Sequence, residues 1–186
     1  MTPAARQASI DLGNLRGNEM RALVLSIGLL AASVAPASAG FMEWDAEVEE
    51  DPFSGGKRVT AGYMSSMRSG VLIICDTAEK GLTLRAIPGF VFSDILSGMA
   101  PEIEVAIDGE RLLGQEGQTG SVGDNLAAAE VLLTPENSRT FVKAFAEARK
   151  QIAVKDGISD RPHLMTARGS TKTGAALVKC MDGQAQ

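Results

Sequence analysis

From residue 57 onward, apolar and polar positions fall into short runs whose period is mostly two. Lys57-Arg58-Val59-Thr60-Ala61-Gly62-Tyr63-Met64 has the β-branched and aromatic content of a strand. Val71-Leu72-Ile73-Ile74-Cys75 is a short continuous apolar run, which predicts a buried central strand. Leu82 to Ile87 alternates as a half-buried strand should, and Pro88-Gly89 ends it. Glu102-Ile103-Glu104-Val105-Ala106-Ile107 is the cleanest alternation in the chain. Asp108-Gly109 and the apolar Leu112-Leu113 follow it, a strong hairpin signal. Ala129 to Leu133, Gln151 to Val154 and Leu164 to Ala167 complete the predicted strands, whereas the glycine-rich stretch Gly114–Gly123 reads as a loop.

The period changes to that of a helix at two places. Thr134-Pro135-Glu136 supplies a capping hydroxyl, a proline at the first helical position and an acid in the first turn. Phe141, Ala144, Phe145 and Ala148 then recur at three- and four-residue spacing, with Arg149 and Lys150 expected to suit the helix C-terminus. Thr173 to Cys180 fits a final helix. The expected fold class is α+β: an antiparallel, sandwich-like sheet domain covered by two helices and held by one disulfide.

The N-terminal region follows a different pattern. Arg21 precedes an apolar run from Ala22 to Val34, then Pro36 and the small residues Ala37-Ser38-Ala39-Gly40. A basic residue, an apolar segment of about 7–15 residues and an A-x-A site make a secretory signal peptide. The run is shorter than the roughly 20 residues needed to span a bilayer. Cleavage is expected between Ala39 and Gly40, with Ala37 and Ala39 as the small residues the peptidase needs. Asp11 and Glu19 sit badly in front of a signal peptide, so Met20 is the expected start, with a long n-region as the alternative. Residues 1–39 are therefore read as extension plus signal peptide, and residues 40–186 as one exported domain with no membrane insertion after cleavage.

Charge narrows the partners. Taking Arg6, Arg16 and Arg21 from 18 basic residues, and Asp11 and Glu19 from 23 acidic ones, leaves 15 and 21, a net charge of −6. An acidic domain without a basic stripe repels phosphate backbones and anionic lipid, so nucleic acid is not an expected partner. The acids concentrate between Glu43 and Asp51, around Trp44, and this run reads as a solvated N-terminal segment with Trp44 as a packing anchor.

The chain has two cysteines, Cys75 and Cys180. An even count in an exported protein reads as a disulfide. With one histidine and no further cysteine to complete a metal site, no metal or other cofactor is expected.

Residues for catalysis are sparse. His163 is the sole histidine, read as a loop residue at a strand start, with Ser170 or Ser121 as conceivable hydroxyl partners. No G-x-S-x-G elbow is present. Glu102 and Glu104 share one face of a strand and form the one notable carboxylate pair, though alternating charge is typical of a solvent face. Gly114–Gly120 and Gly169–Gly174 lack the order of a phosphate loop.

The order of features resembles a known group. Trp44, the D-P-F-x-G-G-K-x-V segment from Asp51, the strand ending in Cys75, L-T-L at Leu82, V-x-I-D-G at Val105–Gly109 and the closing stretch from Gly169 to Cys180 carry the resemblance. Small periplasmic proteins of Gram-negative bacteria, including those associated with type VI secretion loci, are similar in this order. Invasion-associated locus B proteins are a looser relation. The resemblance implies a β-rich periplasmic domain with an accessory, non-enzymatic role and offers no catalytic residues to carry over. The expected function is thus a periplasmic module that contacts another envelope protein or assists a secretion assembly. The alternatives are a small envelope hydrolase using His163 or the Glu102/Glu104 pair, and an inhibitor of a periplasmic enzyme that inserts the Gly114–Gly123 segment.

Overall fold

The computed structural model describes residues 41–184, so the expected cleavage site at Ala37, Ala39 and Gly40 lies outside the described residues. Side chains alternate across each strand, and the alternation read from the sequence decides which face is buried. In β5 (Glu102–Ile107), Ile103, Val105 and Ile107 turn inward while Glu102, Glu104 and Ala106 turn out. The same rule places Val59, Ala61 and Tyr63 of β2 (Lys57–Met64) in the core, with Leu82, Leu84 and Ala86 of β4 (Leu82–Ile87). β3 (Gly70–Asp76) is buried on nearly every residue, as its unbroken apolar run implies.

The remaining strands are β1 (Asp45–Glu50), β6 (Glu110–Glu116), β7 (Gln118–Val122), β8 (Leu126–Leu133), β9 (Gln151–Lys155) and β10 (His163–Thr166). They form two antiparallel sheets among the described residues, one in the order β1-β2-β3-β4-β8-β7 and the other β10-β9-β5-β6. Helices α1 (Pro135–Glu147) and α2 (Ser170–Asp182) pack on each other and share a single apolar core with the two sheets. Trp44 belongs to it, 3% exposed, edge-on to Phe145 at 4.8 Å and tilted against Tyr63 at 5.4 Å. The α+β class with two helices and a Cys75–Cys180 disulfide is therefore the observed one. That bond joins β3 to the last turn of α2.

The structure corrects several local expectations. The Glu43–Asp51 run is not a free segment, because β1 pairs with β2 over its whole length, from Asp45 opposite Gly62 to Glu50 opposite Lys57. Its acids stay solvated because β1 is an edge strand. Gly114–Gly123 is not a loop either, since it holds the end of β6 and all of β7. Pairing with β5 and β8 overrides the low strand propensity of glycine. Gly117 is the break between the two sheets, where a Cβ would strike the Glu130 carbonyl. β8 begins at Leu126, three residues before its expected start.

The helix cations are also placed differently. α1 ends at Glu147, with Ala148 as its cap, so Arg149 and Lys150 lie beyond it. Their backbone amides and that of Gln151 donate instead to the Asp108 carboxylate at 2.9, 2.7 and 3.0 Å. Asp108 also holds the left-handed φ of 53° that a tight Asp-Gly turn requires, so it shapes the hairpin and straps α1 to β9.

Candidate functional site

Three connections converge at one end of the sandwich. They are the β2–β3 turn around Ser65 and Ser69, the exit of β4 through Pro88 to Phe90, and the loop from Asp156 into β10. Between them lies an open groove of about 550 Å³, lined by Ser65, Ser69, Pro88, Phe90 and residues 158–164. Phe90 and Leu164 present apolar surface to solvent here, and Met67 in the β2–β3 turn is almost wholly exposed. The β4–β5 connection adds exposed Val91, Ile95 and Met99 further along. Such clustering of large apolar side chains marks an interaction surface more often than scattered single residues do.

The loop that forms one wall is shaped by a buried carboxylate. Asp156 has no exposed surface, and its Oδ1 accepts the backbone amides of Ile158 at 2.9 Å and Ser159 at 2.7 Å. Oδ2 meets Ser159 Oγ at 2.8 Å and His163 Nε2 at 2.9 Å. Burial pushes this carboxyl upward, but the hydrogen bonds from His163, Ile158 and Ser159 outweigh it and hold the group below the ordinary aspartate range. Asp156 is therefore an anion that only accepts, and His163 Nε2 carries the shared hydrogen. His163 begins β10 as expected of a residue at a strand start, but its side chain is only 8% exposed and fixes the loop rather than hanging from it.

This pair has the orientation of a carboxylate that steers a histidine base. Among the described residues, however, no hydroxyl hydrogen-bonds the other ring nitrogen, Nδ1. Ser159 spends its hydroxyl on Asp156 and lies 2.9 Å from the Arg161 carbonyl. Ser170 is buried in the first turn of α2 with its Oγ unpartnered, and Ser121 lies on β7. Neither candidate serine is brought to His163.

Glu102 and Glu104 do stand side by side on the outer face of β5, as their spacing predicts. Arg111 of β6 bridges them at 3.1 and 2.8 Å, and Lys155 of β9 reaches Glu104 at 3.3 Å. Each carboxylate is thus engaged by a cation in an exposed ladder. A glycosidase needs one carboxyl free to hold a proton beside a substrate cleft, and this ladder has the arrangement of a cross-strand charge network instead.

Comparison with protein-family models, with curated proteins and with solved structures gave no match. The reading of the site rests on its own geometry. Among the described residues no group of three or more His, Cys, Asp or Glu side chains is placed to hold a metal ion, and no helix is long and apolar enough to cross a membrane. Sequence reasoning missed Asp156, and it read Asp108 as a turn residue without its bonds to the amides of residues 149–151. Asp156 is followed at once by glycine and three residues later by Ser159, a local pattern of the kind that turns use. Nothing in the sequence links Asp156 to His163.

Proposed function

We propose that the protein is a non-enzymatic accessory module of the periplasm that binds another envelope protein, in keeping with its resemblance to small periplasmic proteins of secretion loci. The observation that carries this reading is the solvent-facing apolar surface of the groove, with Phe90 and Leu164 on its walls. Leaving such side chains in water costs roughly 25 cal/mol per Å² relative to covering them, which favours association with a partner. The Cys75–Cys180 bond supports an oxidising compartment, because disulfides are rare where thiols are kept reduced.

The test is site-specific photo-crosslinking in living cells, with the photoreactive residue placed at Phe90, at Leu164 and, as a control, at Thr60 on the outer face of β2. One discrete adduct from Phe90 and Leu164 but not Thr60 is expected. Equal labelling from all three positions would defeat the proposal.

A second reading, an envelope hydrolase, is favoured by one observation, the Asp156–His163 pair beside the groove. Its test is turnover of ester and peptidoglycan substrates by the native protein and by His163→Gln, which keeps a side chain able to hydrogen-bond Asp156. Hydrolysis that disappears in the folded variant would establish this reading over the first. The inhibitor reading loses its inserting loop, since the Gly114–Gly123 segment is bound into both sheets.

A further inference from the structure

We infer that the protein forms a two-fold dimer in which the β1–β2 hairpin tip of each copy seats its Phe53 in the groove between α1 and α2 of the other. This goes beyond the binding-module reading and uses the opposite end of the molecule, since β2 runs from the hairpin tip to the turn at Ser65 and Ser69.

The tip is built to hold an aromatic ring in water. Phe53 is 97% exposed, and the chain around it is fixed. Asp51 N–H donates to the Gly56 carbonyl at 2.8 Å, and Gly55 N–H to the Asp51 carbonyl at 2.9 Å. The Asp51 carboxylate accepts the Phe53 amide at 2.9 Å and the Ser54 hydroxyl. A flexible turn loses conformational entropy on docking, whereas a preformed one loses little. Aromatic anchors are the side chains that dominate interfaces once they enter a pocket of the other partner. The tip is also acidic. Glu50 is paired with Lys57 at 2.7 Å, which leaves Glu49 and Asp51 without a cation among the described residues.

The groove has the opposite sign and a matching floor. It measures about 650 Å³ and runs along the outer valley between the two helices. Val142, Ala146, Val178 and Met181 give it apolar lining. Lys80, Arg139 and Lys143 bring three cations to it against Glu147 and Asp182. None of the three cations forms a salt bridge among the described residues. Arg139 and Lys143 stand four residues apart on α1, a like-charge spacing that weakens a helix. On a chain of formal net charge −5, this cationic valley complements an acidic occupant.

Tip and groove open at the same end of the fold. Lys57 N–H donates to Thr77 Oγ1 at 2.9 Å and Thr77 N–H to the Lys57 carbonyl at 3.0 Å, which holds the hairpin beside the 77–81 turn. Lys80 of that turn lines the groove. Gln184 ties the end of α2 to the same turn, its side chain exchanging hydrogen bonds with the Gly81 amide at 3.1 Å and carbonyl at 2.7 Å. A two-fold axis beside this turn carries each tip to the other copy's groove, so the contact is reciprocal and assembly stops at two. The acidic tip with its bare ring and the cationic groove with its apolar floor match in sign and in polarity. This chain supplies both halves, and that complementarity identifies a second copy as the occupant.

The test is sedimentation equilibrium of the oxidised protein, purified from an expressing host, at concentrations up to about 0.1 mM. A monomer–dimer equilibrium is expected, shifting toward monomer as salt screens the charges. Phe53→Ala should raise the dissociation constant about a hundredfold or more, since a symmetric dimer loses the anchor twice. Arg139→Glu combined with Lys143→Glu should also raise it, by setting acids against acids. Both variants alter exposed side chains and should keep the far-ultraviolet spectrum of the native protein. Mixing the two is decisive. The intact tip of the charge-reversed variant fits the intact groove of Phe53→Ala, so a heterodimer should form where neither variant pairs with itself.

A monomer at every concentration overturns the inference. A dimer that both variants leave at full strength overturns it too, as does a mixture that fails to associate. A photoreactive residue at position 53 should crosslink to α1 or α2 of a second copy, and an adduct in living cells with a different protein alone rejects the second copy as occupant. Should the charge-reversed variant misfold, Phe53→Ala and the crosslink decide the matter.

Discussion

Replacing both cysteines, Cys75→Ala with Cys180→Ala, tests how the fold is held. The bond closes a loop with a sequence separation of 105 residues. In the chain-entropy account, opening a loop of this size returns about 16 cal/mol/K to the unfolded chain, or about 4.7 kcal/mol at 25 °C. Both sulfurs are buried, Cys75 fully and Cys180 with 4% exposed, so the lost sulfur contacts add a small cavity cost. The total is about 5 kcal/mol, comparable with the whole stability of a marginal domain. The assay is equilibrium urea unfolding of the oxidised protein and the double variant, followed by the fluorescence of Trp44. The midpoint is expected to fall steeply, and the melting temperature by roughly 10–20 °C for a domain of this size. The slope of free energy against urea should rise, because the uncrosslinked chain exposes more surface on unfolding. A loss below about 1 kcal/mol with an unchanged slope would refute the view that this bond acts by restraining the unfolded chain.

Other consequences follow from single residues. Asp156 is held below the ordinary aspartate value of 3.8, so its contribution to stability is complete above about pH 5 and is lost as pH falls through its depressed folded value. Asp156→Asn should therefore flatten the acid limb of a stability–pH curve while lowering neutral stability by about 2–3 kcal/mol; an unchanged acid limb would contradict this. Trp44→Ala should cost about 3–5 kcal/mol in thermal or chemical unfolding, since it removes the ring against Phe145 and Tyr63 and the bond to Thr166. Gly169→Ala should cost about 2 kcal/mol or more, because Gly169 starts α2 at a φ of 85° and a Cβ there would strike the Trp44 carbonyl. Asp108→Ala should lower the melting temperature and speed amide exchange at Arg149, Lys150 and Gln151, and unchanged exchange there would sink the strap assignment.

Local patterning was enough for most of the secondary structure. β2, β4 and β5 have the limits that their alternation implies, and Thr134-Pro135 starts α1 as capping chemistry requires, with Thr134 Oγ1 accepting the Asn137 amide at 3.2 Å. These features depend on neighbours in sequence, so the sequence carries them. β1 and β7 were illegible for the opposite reason. Acid-rich and glycine-rich segments have little intrinsic strand preference, and they become strands because β2 and β8 offer them a ladder.

The candidate site divides along the same line. Sequence alone determined the α+β class, the pair Cys75 and Cys180 as the only cysteines, and His163 as the only histidine. Tertiary structure decided that Asp156 meets His163, that Arg111 and Lys155 occupy the Glu102/Glu104 pair, and that Leu164 and Phe90 line one groove. Each of these contacts depends on which strands lie side by side. Strand order is set by packing of the whole core, and no local run of residues encodes it.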